Sequence, residues 1–491
     1  MMRKAFPFLC LLLLCLLSLC LTAGCEEHSE ILPEKKAEPS LAPTTYDIRA
    51  ELSPEDRLLR VETAIGYSVP SENLGAIKLR LYANAYAEGN AVVTADKRKA
   101  AYGSEKEDFG GAKITNIDCA LPITGSDLGQ GGTVLTLRFG RTLEKGERLT
   151  ITIAEEITIA KIKHRLGFWN DCFSLADFYP EICPFREGKF LTYDYTPYGD
   201  PYLREASDFT LDLRVPCGYE CAASAHESRR EIQGTFTLFS YALSGARDFA
   251  CVTSPKLTYR EISVSGLPVR YYFEKESSLA KTQKRIQEAV ALFGEAFGAF
   301  PYPSFSLVTA PFFEAGVEHS GLAVISDALS DSAKRATVLH ETAHQWWQGK
   351  VGNDEYLSPW VDEGLAEYSV AYFYKVTGSE TAYRTKIEEA EDAYAVLLSL
   401  KGTHGARFDL SLPELSEDYY DRVYCGGLLL FSSLAEEVGT ERFVSALRAY
   451  AEAYAGETAS PSELIASLSR SLGKDYSDFF TAWISGVVPI Q

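Results

Sequence analysis

Basic residues are in deficit: 48 Lys and Arg stand against 68 Asp and Glu, a formal net charge of −20. No Lys/Arg block or basic stripe relieves that deficit, which argues against nucleic-acid binding. Internal repeats of fixed period are absent, so a solenoid or propeller is not indicated. Cysteines number eleven, but four (Cys10, Cys15, Cys20 and Cys25) crowd the first 25 residues. The other seven are scattered and odd in number, which argues against a dense disulfide scaffold; Cys217 and Cys221 are the two near enough in sequence to pair locally. What is present is ordinary globular material: 46% hydrophobic and 24% charged residues in a chain of 491. That is enough for two or three domains, each with its own core.

Only the first 25 residues hold a long apolar run. Arg3 and Lys4 give a positive start, Phe6 to Leu21 is almost unbroken hydrophobic chain, and Thr22-Ala23-Gly24 ends it before Cys25. A membrane-spanning helix is usually longer and needs no small-residue exit. The ending resembles a bacterial lipoprotein signal, in which Cys25 becomes a lipidated N-terminus. The alternative is an ordinary cleaved secretion signal, and either one places the mature chain outside the cytoplasm. Both methionines, Met1 and Met2, would leave with it. Residues 26–44 are polar, charged and proline-bearing, the composition of a flexible tether.

From Tyr46 to about Leu267 the texture is mostly β. Arg60 to Tyr67 and Ile77 to Tyr82 alternate with period two, and the cluster Gly125 to Gly132 reads as a turn before the strand Thr133 to Arg138. Near residue 268 the pattern changes. Ile286, Ala289, Val290, Phe293 and Phe297 fall at helical spacing, a strand follows at Phe305 to Thr309, and a second helix is predicted from Ser332 to Gln348. A third begins at Ser358-Pro359, with Ser as N-cap and Pro at the first helical position. The remainder reads as mainly helical to about Ile484.

The second helix contains His340-Glu341-Thr342-Ala343-His344. Residues i and i+4 share a helical face, so both imidazoles can reach one ion. Catalytic zinc sites give three positions to protein and one to water. Glu341, beside the first histidine, is placed to take a proton from that water. By chance the pattern appears in roughly one chain in a hundred of this length, so its company decides. The chain has only seven histidines, and two are here. Glu363, with eighteen residues between it and His344, supplies a carboxylate from the next helix, as a third ligand or as a first-turn charge favoured by the helix dipole. Glu367, one turn on, is either the acceptor for a ligating histidine's free N–H or a solvated helix charge.

H-E-x-x-H, eighteen residues and Glu, within a W-x-x-E-G-x-A-x-Y context, resembles the aminopeptidase N family of gluzincin metallopeptidases. Ala315-Gly316-Val317-Glu318-His319 stands where that family carries G-x-M-E-N, and Tyr424 stands in a Y-x-K-G-like segment. The resemblance implies one Zn²⁺ on His340, His344 and Glu363, with Glu341 as the proton acceptor. It implies Glu318 on the substrate's α-amine, Gly316 giving room for the peptide backbone, and Tyr424 stabilising the oxyanion. The alternatives are an exposed loop charge for Glu318 and a core aromatic for Tyr424. A residue of the β domain, expected between Trp169 and Phe185, would assist at the α-amine. Ala315, Val317, His319 and Gly426 depart from the family's residues, which bears on substrate fit more than on the reaction.

The expected architecture is α+β and multidomain. Residues 1–25 are the lipoprotein signal and 26–44 the tether. An antiparallel β-sandwich or saddle-like domain spans 45–267, and a thermolysin-like, mainly helical metallopeptidase domain spans 268–491. Only 67 residues follow Tyr424, so an open cleft without a large helical C-terminal domain is expected. The implied function is zinc-dependent removal of N-terminal residues from peptides outside the cytoplasm, on a chain held to the membrane by lipid. The alternatives are a zinc endopeptidase with an open cleft and a non-catalytic cell-envelope binding lipoprotein.

Overall fold

The computed structural model describes residues 41–487, so the expected signal, the expected lipidation site Cys25 and most of the expected tether lie outside the described residues. The first half builds stacked sheets. Seven strands pair in the order Arg229–Gln233, Phe236–Ala246, Ser207–Pro216, Thr45–Ser53, Leu58–Ser68, Arg148–Thr158 and Gly111–Cys119. All neighbours are antiparallel except Thr45–Ser53 with Ser207–Pro216, which run parallel. The period-two alternation read from the sequence is the alternation of burial. Along Leu58–Ser68, Leu59, Val61, Thr63 and Ile65 are buried while the residues between face outward. These inward side chains meet those of a four-stranded sheet that includes Leu74–Arg80 and Val134–Leu143, forming one core.

The segment Gly125 to Gly132, read above as a turn, is mostly strand. Ile123–Gly129 pairs with Val134–Leu143, and only Gln130–Gly132 turns. The strand lies at the edge of its sheet with most of its side chains in solvent. Such a strand has no core face to demand hydrophobic residues, so Gly, Ser and Asp serve there.

Glu155 breaks the rule of the seven-stranded sheet. It occupies an inward position between Ile153 and Ile157, is 3% exposed, and its Oε2 has no hydrogen-bond partner. Burial pushes its pKa up to about 8. A carboxyl whose folded pKa exceeds its unfolded value of about 4.3 contributes fully below that lower value, and its contribution is lost as pH rises through the folded one. Glu155→Gln is therefore expected to melt a few degrees above wild type at pH 8. The gap should close below about pH 4.5 in calorimetric scans; a gap independent of pH would assign the effect to packing instead.

The second half opens with a five-stranded sheet in the order Thr258–Val264, Leu267–Phe273, Phe305–Ala310, Leu322–Ser326 and Gly316–His319. The boundary expected at 267/268 falls inside the second of these strands, just past the turn that joins it to the first; the two pair from Thr258↔Phe273 to Val264↔Leu267. Alternation continues across the junction, so no change of texture marks it. The helix Leu279–Phe297 buries Ile286, Ala289, Val290, Phe293 and Phe297, the five positions of its predicted stripe. Below lies a helical core built on Trp346, Trp347, Trp360, Phe431 and Phe480. Arg247 ties the halves together. Its guanidinium is 2% exposed and donates to the carbonyls of Arg204, Gln348 and Glu457 and to Thr458 Oγ1. All seven described cysteines are free thiols, Cys217 and Cys221 included.

Candidate metal centre and substrate cleft

The helix Asp331–Ala343 begins at Ser330, whose side chain accepts from Ala333 N. It ends five residues earlier than predicted. His344 caps it, still in right-handed helical geometry, before the chain turns through Gln348 at φ 122°. The helical spacing of the two histidines survives. His344 Nε2 lies 3.0 Å from His340 Nε2, and Glu363 Oε2 lies 3.1 Å from His340 Nε2 and 3.4 Å from His344 Nε2. Glu363 sits in the first turn of Trp360–Val376.

The donor set fits zinc. Tetrahedral ligands at about 2.0–2.2 Å are separated from one another by about 3.3–3.5 Å. Glu363 Oε2 is buried and has no hydrogen-bond partner despite its close neighbours, as expected of a lone pair aimed at a shared point. The other ring nitrogens are occupied. His340 Nδ1 is 2.9 Å from Glu367 Oε1, and His344 Nδ1 is 3.0 Å from Trp347 O. Each contact fixes its imidazole with Nε2 toward the common point. Glu367 is in turn paired with Lys386, so it is not a solvated charge.

Electrostatics favour positive charge at this point. Burial disfavours a His340 imidazolium, but Glu363 and Glu367 prevail and raise its pKa to about 10. Burial likewise opposes ionisation of Glu367, yet Lys386 and His340 hold it down at about 2. Glu363 is held below the usual carboxylate range against its burial by the two histidines. Glu341 differs. Burial raises its pKa to about 8, with His340 opposing and Glu318 adding to the rise, and its Oε2 has no hydrogen-bond partner.

The strand Gly316–His319 runs along the edge of the five-stranded sheet beside this helix. Alternation places Gly316 and Glu318 in the cleft wall, whereas Val317 packs into the core behind and His319 Nδ1 meets Asp248 Oδ2 at 2.6 Å. Two of the four departures from the family's residues therefore face away from the cleft. Gln345 locks strand to helix: its Nε2 donates to His319 O at 3.0 Å and its Oε1 accepts from Gly321 N at 2.9 Å.

Gly316 also matters for a reason beside the one expected. A Cβ there would lie 2.5 Å from Glu341 Oε1 and 2.8 Å from Thr337 Cγ2, so its bareness makes room for the Glu341 carboxyl. Gly316→Ala is expected to displace Glu341 and lower kcat about 100-fold with metal content unchanged. Near-wild-type turnover in a stopped assay with parallel metal analysis would show that Glu341 has slack.

Tyr424 lies in a π-helical turn, Tyr420–Cys425, leading into the helix Gly426–Val438. A Cβ on Gly364 would come 2.9 Å from Gly427 Cα, so the two helices touch through bare glycines. That approach brings Tyr424 OH to 2.5 Å from Glu363 Oε1 and lays its ring on His340 at 5.7 Å between centroids. Tyr424 is thus a neighbour of the candidate metal ligands, not a remote core aromatic.

The cleft in front of these groups has a volume of about 1170 Å³. The β domain supplies one wall (Thr94 to Lys97, Arg165 and Tyr198 to Asp200), and exposed Asp96, Lys97, Glu417 and Tyr420 mark its path to solvent. Asp200 is the acid that sequence reasoning missed. Within the expected window, Asp177 and Glu181 are both bound to Arg204 and do not line the cleft. Asp200, beyond the window, comes with its carboxyl within 4.8 Å of that of Glu318.

The peptidase family M1 domain profile matches residues 281–483, a span that contains the zinc-type ligands, Glu318 and Tyr424. Aminopeptidase M1-B of Oryza sativa subsp. japonica is 28% identical to the chain over 210 residues, covering 40% of this chain and 24% of that protein. Aminopeptidase N of Streptomyces lividans is 27% identical over 200 residues, covering 38% and 23%. The chain spans about a quarter of the length of these curated relatives. An M1 zinc metallopeptidase from Deinococcus radiodurans superposes over 92% of this chain and 96% of its own, with a TM-score of 0.65 at 16% identity. A mutant of it, solved with a Tyr-Ser-Ala substrate, superposes with a TM-score of 0.64 over 92% of this chain and 97% of its own, also at 16% identity. At that identity the likeness establishes the fold: a multi-sheet β domain joined to a mainly helical domain.

Proposed function

We propose that the protein is a zinc-dependent aminopeptidase that removes N-terminal residues from peptides. The observation that supports this reading best is the convergence of His340, His344 and Glu363 on one point beside a pocket holding buried Glu318 and Asp200. One zinc ion would be held by the first three. When bound, zinc supplies Lewis acidity, lowering the pKa of a water and polarising the scissile carbonyl. Glu341 accepts the water's proton and returns it to the leaving amine. The Tyr424 hydroxyl turns from Glu363 to the carbonyl oxygen as negative charge develops there. Glu318, with Asp200 beside it, holds the α-ammonium group, so the cut falls after the first residue. Glu367 and Trp347 O keep the imidazoles oriented through the cycle.

The setting is part of the proposal. The lipoprotein-type ending at Cys25 supports a chain tethered to the bacterial cell membrane and working outside the cytoplasm. Among the described residues no helix is long and apolar enough to cross a membrane. The test is hydrolysis of a panel of aminoacyl-coumarins, with and without a zinc chelator, beside their N-acetylated forms. Chelator-sensitive cleavage of the free-amine compounds alone is expected. Equal cleavage of the acetylated set would make the enzyme an endopeptidase, and cleavage of neither would favour a binding lipoprotein.

A further inference from the structure

Three buried carboxyl groups meet beside the metal centre with too little positive charge among them. Asp200, Glu318 and Glu355 are 9%, 8% and 2% exposed, and each brings a carboxylate oxygen within 4.8 Å of the other two. Arg165 binds Asp200 Oδ1. The other nearby guanidinium, Arg204, is committed to Asp177, Glu181 and Asp248. Glu355 Oε2 is buried and has no hydrogen-bond partner. Its neighbours explain how it is held there. Asn353 Nδ2 donates to Asp362 Oδ1 at 2.7 Å, and Asp354 Oδ2 accepts from Tyr193 OH at 2.6 Å. Flanked by these anchors, Glu355 points inward, where its negative charge is disfavoured unless a cation or a proton compensates it. Burial and the neighbouring acids push both Asp200 and Glu355 well above the usual carboxylate range.

The chemistry of the trio narrows the occupant. All three donors are carboxylate oxygens, which suit hard cations and not the softer ions that imidazole or thiolate would select. Calcium takes oxygen ligands at about 2.3–2.6 Å, so oxygens on opposite sides of it are about 4.6–5.2 Å apart. Asp200 and Glu318 line the cleft, whereas Glu355 lies behind them. An ammonium group on a peptide meets the front pair, whereas a bare ion is small enough to lie among all three oxygens.

We propose that Asp200, Glu318 and Glu355 form a second metal site, selective for a hard divalent cation of the calcium class, whose occupant competes with the substrate's α-ammonium group for Glu318. The site itself stands on the carboxylate geometry; the competition rests on the aminopeptidase reading. Calorimetry and equilibrium dialysis with Ca²⁺ on the zinc-loaded protein test the first part. One saturable Ca²⁺ per chain is expected, and Glu355→Gln should weaken it at least tenfold while zinc content is retained. No saturable binding to the wild type at millimolar Ca²⁺ would overturn the site, as would binding that Glu355→Gln leaves unaltered. Steady-state kinetics tests the second part. At ten times its Kd, Ca²⁺ should raise KM about tenfold without lowering kcat, an effect that Glu355→Gln removes. Ca²⁺ that binds without moving KM would overturn the competition. A protein that binds Ca²⁺ but cleaves no panel substrate would overturn the aminopeptidase reading and leave the site standing.

Discussion

Glu341→Gln is expected to lower kcat roughly 10³-fold and leave zinc content unchanged. The glutamate is not among the three converging donors, so its replacement keeps His340, His344 and Glu363 intact. Gln fills the same volume beside Gly316 and Thr337, where there is room for a carboxyl-sized group and no more. What disappears is a carboxylate that can accept a proton. Glu341 Oε2 is buried without a hydrogen-bond partner and sits under the raising influence of Glu318, so nothing else occupies the lone pairs that the reaction would use. Turnover and zinc content measured on the same preparation decide the matter. Lost zinc would move Glu341 into the role of a structural support, and unchanged turnover would remove it from the chemistry.

How much of this was legible in the sequence follows from which forces are local. His340, His344 and Glu363 lie within 24 residues, and helical spacing alone puts the histidines on one face. The early end of the helix at Ala343 was not legible, because the chain just after His344 is held by distant partners, Trp346 Nε1 donating to Gly298 O and Trp347 Nε1 to Ser369 Oγ. Glu367 had two readings in sequence, and a partner from another helix, Lys386, separates them. Asp200 had no signal. It follows Gly199, whose φ of 58° and absent Cβ allow it to lie against Tyr419 and Leu412, both over 200 residues away. Edge strand Ile123–Gly129 was mistaken for a turn because an edge with both faces wet imposes no period. The break at 267/268 was placed late for the opposite reason: strands continue through it in a new sheet.

Glu318→Gln should separate recognition from chemistry more sharply than any other single change. Glu318 is 8% exposed and faces a cleft where the incoming ammonium loses its water. Truncating one partner of such a buried, charge-assisted pair costs about 2–5 kcal/mol, a loss of roughly 30- to several thousand-fold in kcat/KM at 1.4 kcal/mol per decade. The loss should fall on free-amine substrates and appear mainly as raised KM, because the ammonium is bound alike before and during bond cleavage. Asp200, which keeps its carboxyl beside the vacated charge, sets the residual binding. The N-acetylated counterparts have no ammonium to lose, so whatever slow cleavage they show should be unchanged or slightly raised. The discrimination ratio between the two series therefore collapses in the variant. A variant that slows both series equally would instead assign Glu318 to the support of the metal centre, through the strand that Gln345 fastens to the helix of His340 and His344.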